Sequence, residues 1–292
     1  MTEWKHIPIL ATEIADAILT KPNGVYVDGT LGLGGHTALF LSRLGPQARI
    51  FGFDKDSEAL AMAQKRVADA RLTAVHASYT QAPVVLKEAG LAGADGALFD
   101  LGVSSYQLDN PERGFSLLRD GPLDMRFDNR AELTAEKIVN EWALSELERI
   151  LTDYGEERQA HAIAMAIMAA RRQGRIRTTF ELKKIIENVV RGRGKIHPAT
   201  QTFQALRIAV NDELGCVAQV IHLLDDLLLS GGRAAVLTFH SLEDRLVKNY
   251  FKELASSGKW RLVNKHVIVP TYEEIRQNSR ARSAKLRVIE KL

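Results

Sequence analysis

Apolar residues at Ile7, Leu10, Ile14, Ile18 and Leu19 recur at helical spacing, and Lys21-Pro22-Asn23-Gly24 closes that stripe with turn residues. The pattern then changes to short apolar runs separated by helical ones. A β-prone run at 25–27 ends at Asp28, and 37–44 reads as a helix stopped by Gly45-Pro46. Further strands are predicted at 48–53, 72–76 and 94–99. Helices are predicted from Asp56 or Ser57, as cap, to Ala68, and from Tyr79 to Glu88, stopped by Gly90. Strands alternating with helices at this spacing predict a parallel sheet with helices on both faces.

The alternation then breaks. Residues 108–130 are rich in Gly, Pro, Asp and Arg with little periodicity, and 134–190 is helical throughout. Ser145-Glu146-Leu147-Glu148 reads as a capping box, and Thr178 with Glu181 caps another helix. Arg191-Gly192-Arg193-Gly194-Lys195 reads as a basic, flexible linker. Residues 198–229 form one long helix or a broken pair, stopped by Gly231-Gly232. A strongly apolar strand at 233–239 follows, then a helix capped by Ser241 and closing strands at 260–269 and 286–289. The expected fold class is α/β, a Rossmann-like sheet carrying an inserted all-helical domain. The expected boundaries are 1–110 and 201–292 for the two parts of the core and 111–200 for the insertion. Insertions sit in loops at the ligand-binding edge, which would place the helices over a substrate site.

The candidate chemistry begins at Val25-Tyr-Val-Asp-Gly-Thr-Leu-Gly-Leu-Gly-Gly-His36. Strand, glycine turn, helix is a layout that brings backbone N–H groups close to a ligand. A dinucleotide fold wants G-x-G-x-x-G, and Thr37 stands where its third glycine or alanine belongs. Asp28 followed by Gly32 and Gly34 fits better a site for a cationic amine, such as the ammonium of S-adenosylmethionine. Asp54, ending the next apolar run, is placed to accept from two ribose hydroxyls. Asp28, Asp54, the Ala77-Ser78-Tyr79 turn and Asp100 all fall at strand ends, where open α/β sheets bind ligands.

Composition narrows the class. Of 292 residues, 46% are hydrophobic and 26% charged, as in an ordinary globular chain. No apolar run approaches the ~20 residues of a membrane span, and the N-terminus lacks the pattern of a signal peptide. Cys216 is the single cysteine, which excludes an internal disulfide and a cysteine zinc site; a core position suits it better than a nucleophile. No metal is expected, and the cytoplasm is the expected compartment. Net charge is only +3, but nine Lys/Arg lie between Arg171 and Lys195 against two acids, and six lie from Arg276 onward against Glu290. Two basic stretches on a near-neutral chain point to a polyanion contact.

Several blocks together are similar to one family: Asp28-Gly-Thr-Leu-Gly-Leu-Gly-Gly-His36, Asp100-Leu-Gly-Val-Ser-Ser105, Arg113-Gly-Phe-Ser116, Asp120-Gly-Pro-Leu-Asp-Met-Arg126, Tyr154-Gly-Glu-Glu-Arg158, His197-Pro-Ala-Thr200 and Phe239-His-Ser-Leu-Glu-Asp-Arg245. The chain resembles the MraW/RsmH family, bacterial methyltransferases of the N4 amine of a cytidine in small-subunit (16S) ribosomal RNA. The resemblance implies a class I methyltransferase core with a helical insertion, S-adenosylmethionine as cofactor and ribosomal RNA as partner. It implies Gly34, Gly35 and His36 beside the methionine part of the cofactor, Asp54 on the ribose, Tyr79 flanking the adenine, and Asp100 and Gln107 completing the pocket. Many amino-methyltransferases carry Asp/Asn-Pro-Pro-aromatic after the fourth strand; here Asp100-Leu101-Gly102-Val103 stands instead. Asp100 with Ser104 or Ser105 is therefore the candidate set for orienting the amine, and His240 is a further candidate for a proton acceptor, a helix cap or a core residue. Arg113, Arg126, Arg191, Arg193, Lys195, Arg280 and Arg282 are the candidate RNA contacts. Rival readings are a nicotinamide-dependent oxidoreductase and a cofactor-sensing RNA-binding assembly protein without turnover. Monomer and homodimer stay open.

Overall fold

The computed structural model describes residues 8–190 and 197–292. The basic linker, with Arg191, Arg193 and Lys195, lies outside the described residues. The chain forms two compact units: one runs up to Gly102 and resumes at Leu214, and the other is Val103–Glu213.

In the first unit α1 (Ala11–Ile18) precedes β1 (Val25–Asp28), α2 (Gly35–Arg43), β2 (Arg49–Asp54), α3 (Ser57–Val67), β3 (Leu72–His76), α4 (Ala82–Glu88) and β4 (Ala94–Asp100). The second unit holds α5 (Ser105–Asp109), α6 (Ala135–Glu141), α7 (Leu144–Asp153), α8 (Ala160–Gln173), α9 (Thr179–Val189) and α10 (Thr200–Asn211). The first unit then resumes with α11 (Glu213–His222), α12 (Leu224–Leu227), β5 (Leu228–Thr238), α13 (Ser241–Ser256), β6 (Trp260–Leu262), α14 (Tyr272–Gln277) and β7 (Lys285–Lys291).

Among the described residues seven strands form one sheet in the order β3-β2-β1-β4-β5-β7-β6. The first five are parallel, and β7 is antiparallel to both β5 and β6. Strand side chains alternate between two cores, as the period of a strand requires. Val27, Ala97, Phe99, Ala234 and Val236 face one core with Leu86 of α4, Val220 of α11 and Phe251 of α13. Tyr26, Leu98, Ala235 and Leu237 face the other with Ile14 of α1 and Phe40 of α2. Helices thus cover both faces. Because β1 and β4 are buried on both sides, their runs are apolar rather than alternating.

The helical unit has its own core, running from Phe115 and Leu123 through Ile150, Ile163 and Leu182 to Phe203 and Leu206. It is wider than the sequence pattern predicts, 103–213 against 111–200. Val103 and Leu108 pack on its core, and α10 contributes Phe203, Leu206 and Val210. The aperiodic stretch before α6 is ordered by polar bonds. Asn211 accepts from Phe127 N at 2.7 Å and donates to the Met125 carbonyl at 2.8 Å. Phe115 stacks on Phe127 at 5.7 Å between centroids.

Three local readings are corrected. Helix α7 starts before Ser145, and Glu146 accepts from Ala143 N at 2.9 Å. The cap of α13 is His240, not Ser241; its Nδ1 accepts from Glu243 N at 3.4 Å. Of the two forms expected for 198–229 the broken one stands, with an interruption at Asp212, which adopts φ 49°. The Thr178–Glu181 box stands as read, with Thr178 Oγ1 accepting from Glu181 N at 3.3 Å. The third correction is Gly231-Gly232, which lies inside β5 rather than ending a helix; the strand starts at Leu228 and shifts register against β4.

Candidate functional site

Parallel order puts the carboxyl ends of β1, β2 and β4 side by side, with Asp28 paired to Gly52 and to Leu98. The loop after β1 is held from both neighbours: Gly29 N donates to Leu98 O and Leu31 N to Phe53 O, each at 2.8 Å. Glycine is required in that loop. Gly34 has φ 75°, and a Cβ there would stand 2.7 Å from Val67 Cγ2 of α3. A Cβ at Gly29 would meet the Phe99 ring at 2.5 Å.

Asp28 is 1% exposed. Its Oδ2 accepts from Thr37 Oγ1 at 2.7 Å and its Oδ1 from Thr30 N at 3.3 Å. The expected ammonium contact is therefore corrected: Asp28 ties the glycine loop to the first turn of α2. Burial raises its pKa, which the nearby His36 and the Thr37 and Thr30 bonds oppose. The same bond explains why Thr37 replaces the small residue of a dinucleotide motif.

Asp54 is half-buried as a residue. Oδ2 accepts from Gly32 N at 2.7 Å and Oδ1 from Asp56 N at 2.8 Å, so it both shapes the loop and retains acceptor capacity. Its pKa is raised to about 6, chiefly by burial; the N–H bonds from Asp56 and Gly32 oppose this, and the charges of Asp56 and Asp28 add to it.

At the end of β4, Asp100 N donates to Thr30 Oγ1 at 2.7 Å, and Asp100 Oδ2 lies 3.5 Å from His36 Nε2. The Asp100 side chain is 23% exposed, whereas His36 is buried and neither ring nitrogen has a hydrogen-bond partner. Tyr79 follows the Ser78 turn after β3 and packs edge-on against Phe99, centroids 5.4 Å apart. The end of the sheet thus gathers Gly32, Gly34, Gly35, His36, Asp54, Tyr79 and Asp100. A ligand with hydroxyls, a cationic amine and a flat ring matches this set: Asp54 for hydroxyls, Asp100 for the cation, the Tyr79 edge for the ring, and the orphaned His36 nitrogens for a polar group. Thr30 and Thr37 were not singled out by sequence as loop anchors. Their signal was a hydroxyl at positions the loop otherwise fills with glycine.

In the helical unit, Ser104 and Gln107 form the capping box of α5: Gln107 N donates to Ser104 Oγ at 3.2 Å and Ser104 N to Gln107 Oε1 at 3.1 Å. Ser105 opens that helix; its side chain lies outside the described residues. Two RNA candidates are corrected. Arg113 is 5% exposed and donates through Nη2 to the carbonyls of Arg126 and Phe127. Arg126 forks onto Asp124 at 2.6 and 2.8 Å and donates to the Asn129 and Ala131 carbonyls. Arg280 and Arg282 are exposed in the sheet unit, on a 3-10 turn at Ser279–Ser283. His240 uses Nδ1 as the cap of α13, while its buried Nε2 lies 3.1 Å from Glu243 Oε1 without a hydrogen-bond partner.

Comparison with known proteins bears on this site. The model of the MraW methylase family matches residues 3–292. Ribosomal RNA small subunit methyltransferase H of Elusimicrobium minutum is 56% identical over 293 residues, covering 100% of both chains. The protein of that name from Geobacter sp. (strain M21) is 43% identical over 312 residues, again covering 100% of both. The one from Halothermothrix orenii is 43% identical over 308 residues, covering 99% of each.

Proposed function

The chain belongs to the MraW methylase family, and from that premise we propose that it transfers a methyl group from S-adenosylmethionine to the N4 amine of a cytidine in small-subunit (16S) ribosomal RNA. The observation that carries the reading is the set of glycines and carboxylates at adjoining strand ends, in a chain that matches such methyltransferases along its whole length. No described helix is long and apolar enough to cross a membrane. The cytoplasm, where the subunit is made, is the compartment that follows from the proposal.

When bound, S-adenosylmethionine supplies a methyl group already activated by the positive charge on sulfur. The N4 lone pair of cytosine is delocalised into its ring, so the protein's task is alignment and acceptance of the amine's protons as charge develops. In this reading Asp54 holds the ribose hydroxyls, Gly34, Gly35 and His36 line the methionine part, and Tyr79 flanks the adenine. Asp100 presents an acceptor to the amine. Its backbone N–H is already fixed by Thr30, which limits the strand end to one position. Ser104 and Ser105 remain candidates for orienting the amine, and Gln107 for the cofactor. The target base must be unpaired or flipped from its stack to reach a methyl donor in such a site.

The test is methyl transfer from labelled S-adenosylmethionine to isolated small subunits, followed by nucleoside digestion. Label in N4-methylcytidine is the expected result, and label absent or on another atom overturns the proposal. Asp100→Ala should lower turnover by about 100-fold or more, in the range for loss of one well-placed transition-state group. Full turnover with normal cofactor affinity would remove Asp100 from the mechanism.

A further inference from the structure

Between β6 and β7 the sheet unit makes an excursion over residues 263–284 that the seven-stranded order does not need. Its inner side is pinned. Ile275, Ala281 and Ala284 pack into the core shared by α1 and α2. Glu274 Oε1 accepts from Leu10 N at 2.7 Å, Thr271 caps α14 and Asn278 caps the 3-10 turn. The outer side is different in kind. Tyr272 is 77% exposed and Val269 54%. On α14 Tyr272 and Arg276 are four apart and share a face. An aromatic ring held in water on a pinned backbone contributes little to folding.

The charge of this region is concentrated on that outer side. Of the six bases from Arg276 onward, Lys285 and Arg287 pair with Asp244, and Lys291 donates to the Asp225 and Leu228 carbonyls. Arg276 and Arg282 are exposed, as is Lys265; Arg280 is exposed too but has a polar partner of its own. Of the two acids on α14, Glu273 is exposed and Glu274 is engaged with Leu10.

Topology places the excursion at the reactive edge. Lys285, the first residue of β7, pairs with Thr238 at the carboxyl end of β5, so the chain enters β7 from the edge that carries Asp28, Asp54 and Asp100. Leu10, bonded to Glu274, is two residues from Pro8, whose Cβ lies 3.5 Å from the position a Cβ would take at Gly35.

We propose that Tyr272, with Arg276 and Arg282, is a stacking platform for unpaired ribosomal RNA beside the target cytidine. The ring takes the face of one base, and the guanidiniums take phosphates on either side of it. Aromatic stacking combined with a basic track is how proteins hold single strands with little sequence preference. The inference rests on the reading of the chain as a ribosomal RNA methyltransferase.

Full-length Tyr272→Ala, Tyr272→Phe and Arg276→Ala/Arg282→Ala variants test it. The readouts are KM for small subunits, Kd for protein-free small-subunit RNA at several salt concentrations, and S-adenosylmethionine affinity. Tyr272→Ala should raise KM and Kd about fivefold or more, the loss of one stacked base, and Tyr272→Phe should restore both. The double alanine should flatten the salt slope by about 1.4, at about 0.7 per phosphate. Cofactor affinity should stay at the parental value in all three. Parental KM, Kd and salt slope in every variant would overturn the proposal. So would weakened binding to subunits with unchanged binding to protein-free RNA, which would assign the face to a ribosomal protein. Failure of the underlying reading looks different: the parental protein would then transfer no methyl group to subunits or RNA.

Discussion

Two strand-end aspartates, Asp28 and Asp54, look alike in sequence and differ in role because of what donates to them. Asp28 is closed off by Thr37 and Thr30, whereas Asp54 receives two backbone N–H groups and retains acceptor capacity. Its carboxyl, raised to about 6, sets a pH dependence. Between about 3.8 and 6 the folded protein holds a proton there that the unfolded chain has lost. The stability this gives is fully present below 3.8 and is lost as pH rises through 6. At neutral pH the free protein therefore carries a partly desolvated carboxylate, and a ligand that donates hydroxyls to it and brings positive charge favours the ionised form. S-adenosylmethionine affinity should be flat above about pH 7 and fall toward tenfold per pH unit below 6, measured by calorimetry in buffers of equal ionic strength. Asp54→Asn should weaken binding about tenfold or more at pH 7.5 and remove the step. An affinity independent of pH from 5 to 8 would detach Asp54 from the cofactor.

At the scale of elements, the αβ alternation was legible because each strand is short, apolar and followed by a polar residue at its carboxyl end. The same feature made Asp54 and Asp100 visible. What escaped was structure made by polar bonds across distance. The stretch 108–130 has no period, yet Arg113 holds two carbonyls, Arg126 grips Asp124, and Asn211 reaches it from α10, 84 residues on from Phe127. No pattern within the stretch announces such partners. Charge alone therefore assigned Arg113 and Arg126 to RNA. The alternative makes a prediction: Arg113→Ala should destabilise the fold by about 1–3 kcal/mol, having left two half-buried carbonyls without a charged donor. Thermal unfolding would show a lower Tm, while RNA affinity of the folded fraction would keep its salt slope. A flattened slope with unchanged Tm would return Arg113 to the RNA surface. The antiparallel β7 between β5 and β6 escaped for a related reason, since apolar runs carry no direction.

For the whole molecule, the question is what an insertion needs in order to sit inside a sheet fold without disturbing it. The helical unit meets the requirement by closing its own core. Its buried apolar residues all come from Phe115 to Val210, and its ends are fastened locally. At one end Ser104 and Gln107 cap α5; at the other Arg207 forks onto Glu213 at 2.8 and 2.9 Å. A unit of this size with its own core is long enough to bury the apolar surface that independent folding requires. We expect the excised segment 103–213 to fold alone, with helical circular dichroism, a single cooperative urea transition and slowly exchanging amides in α7 and α8. It should bind no S-adenosylmethionine, because Gly34, His36, Asp54 and Tyr79 all lie in the other unit. A segment ending at 200 should be far less stable, since it loses Phe203, Leu206 and Val210 from the core, and each buried apolar side chain removed costs about 2–5 kcal/mol. If both segments unfold alike, or if neither gives a cooperative transition, the insertion is not an autonomous body and depends on the sheet to hold its helices together.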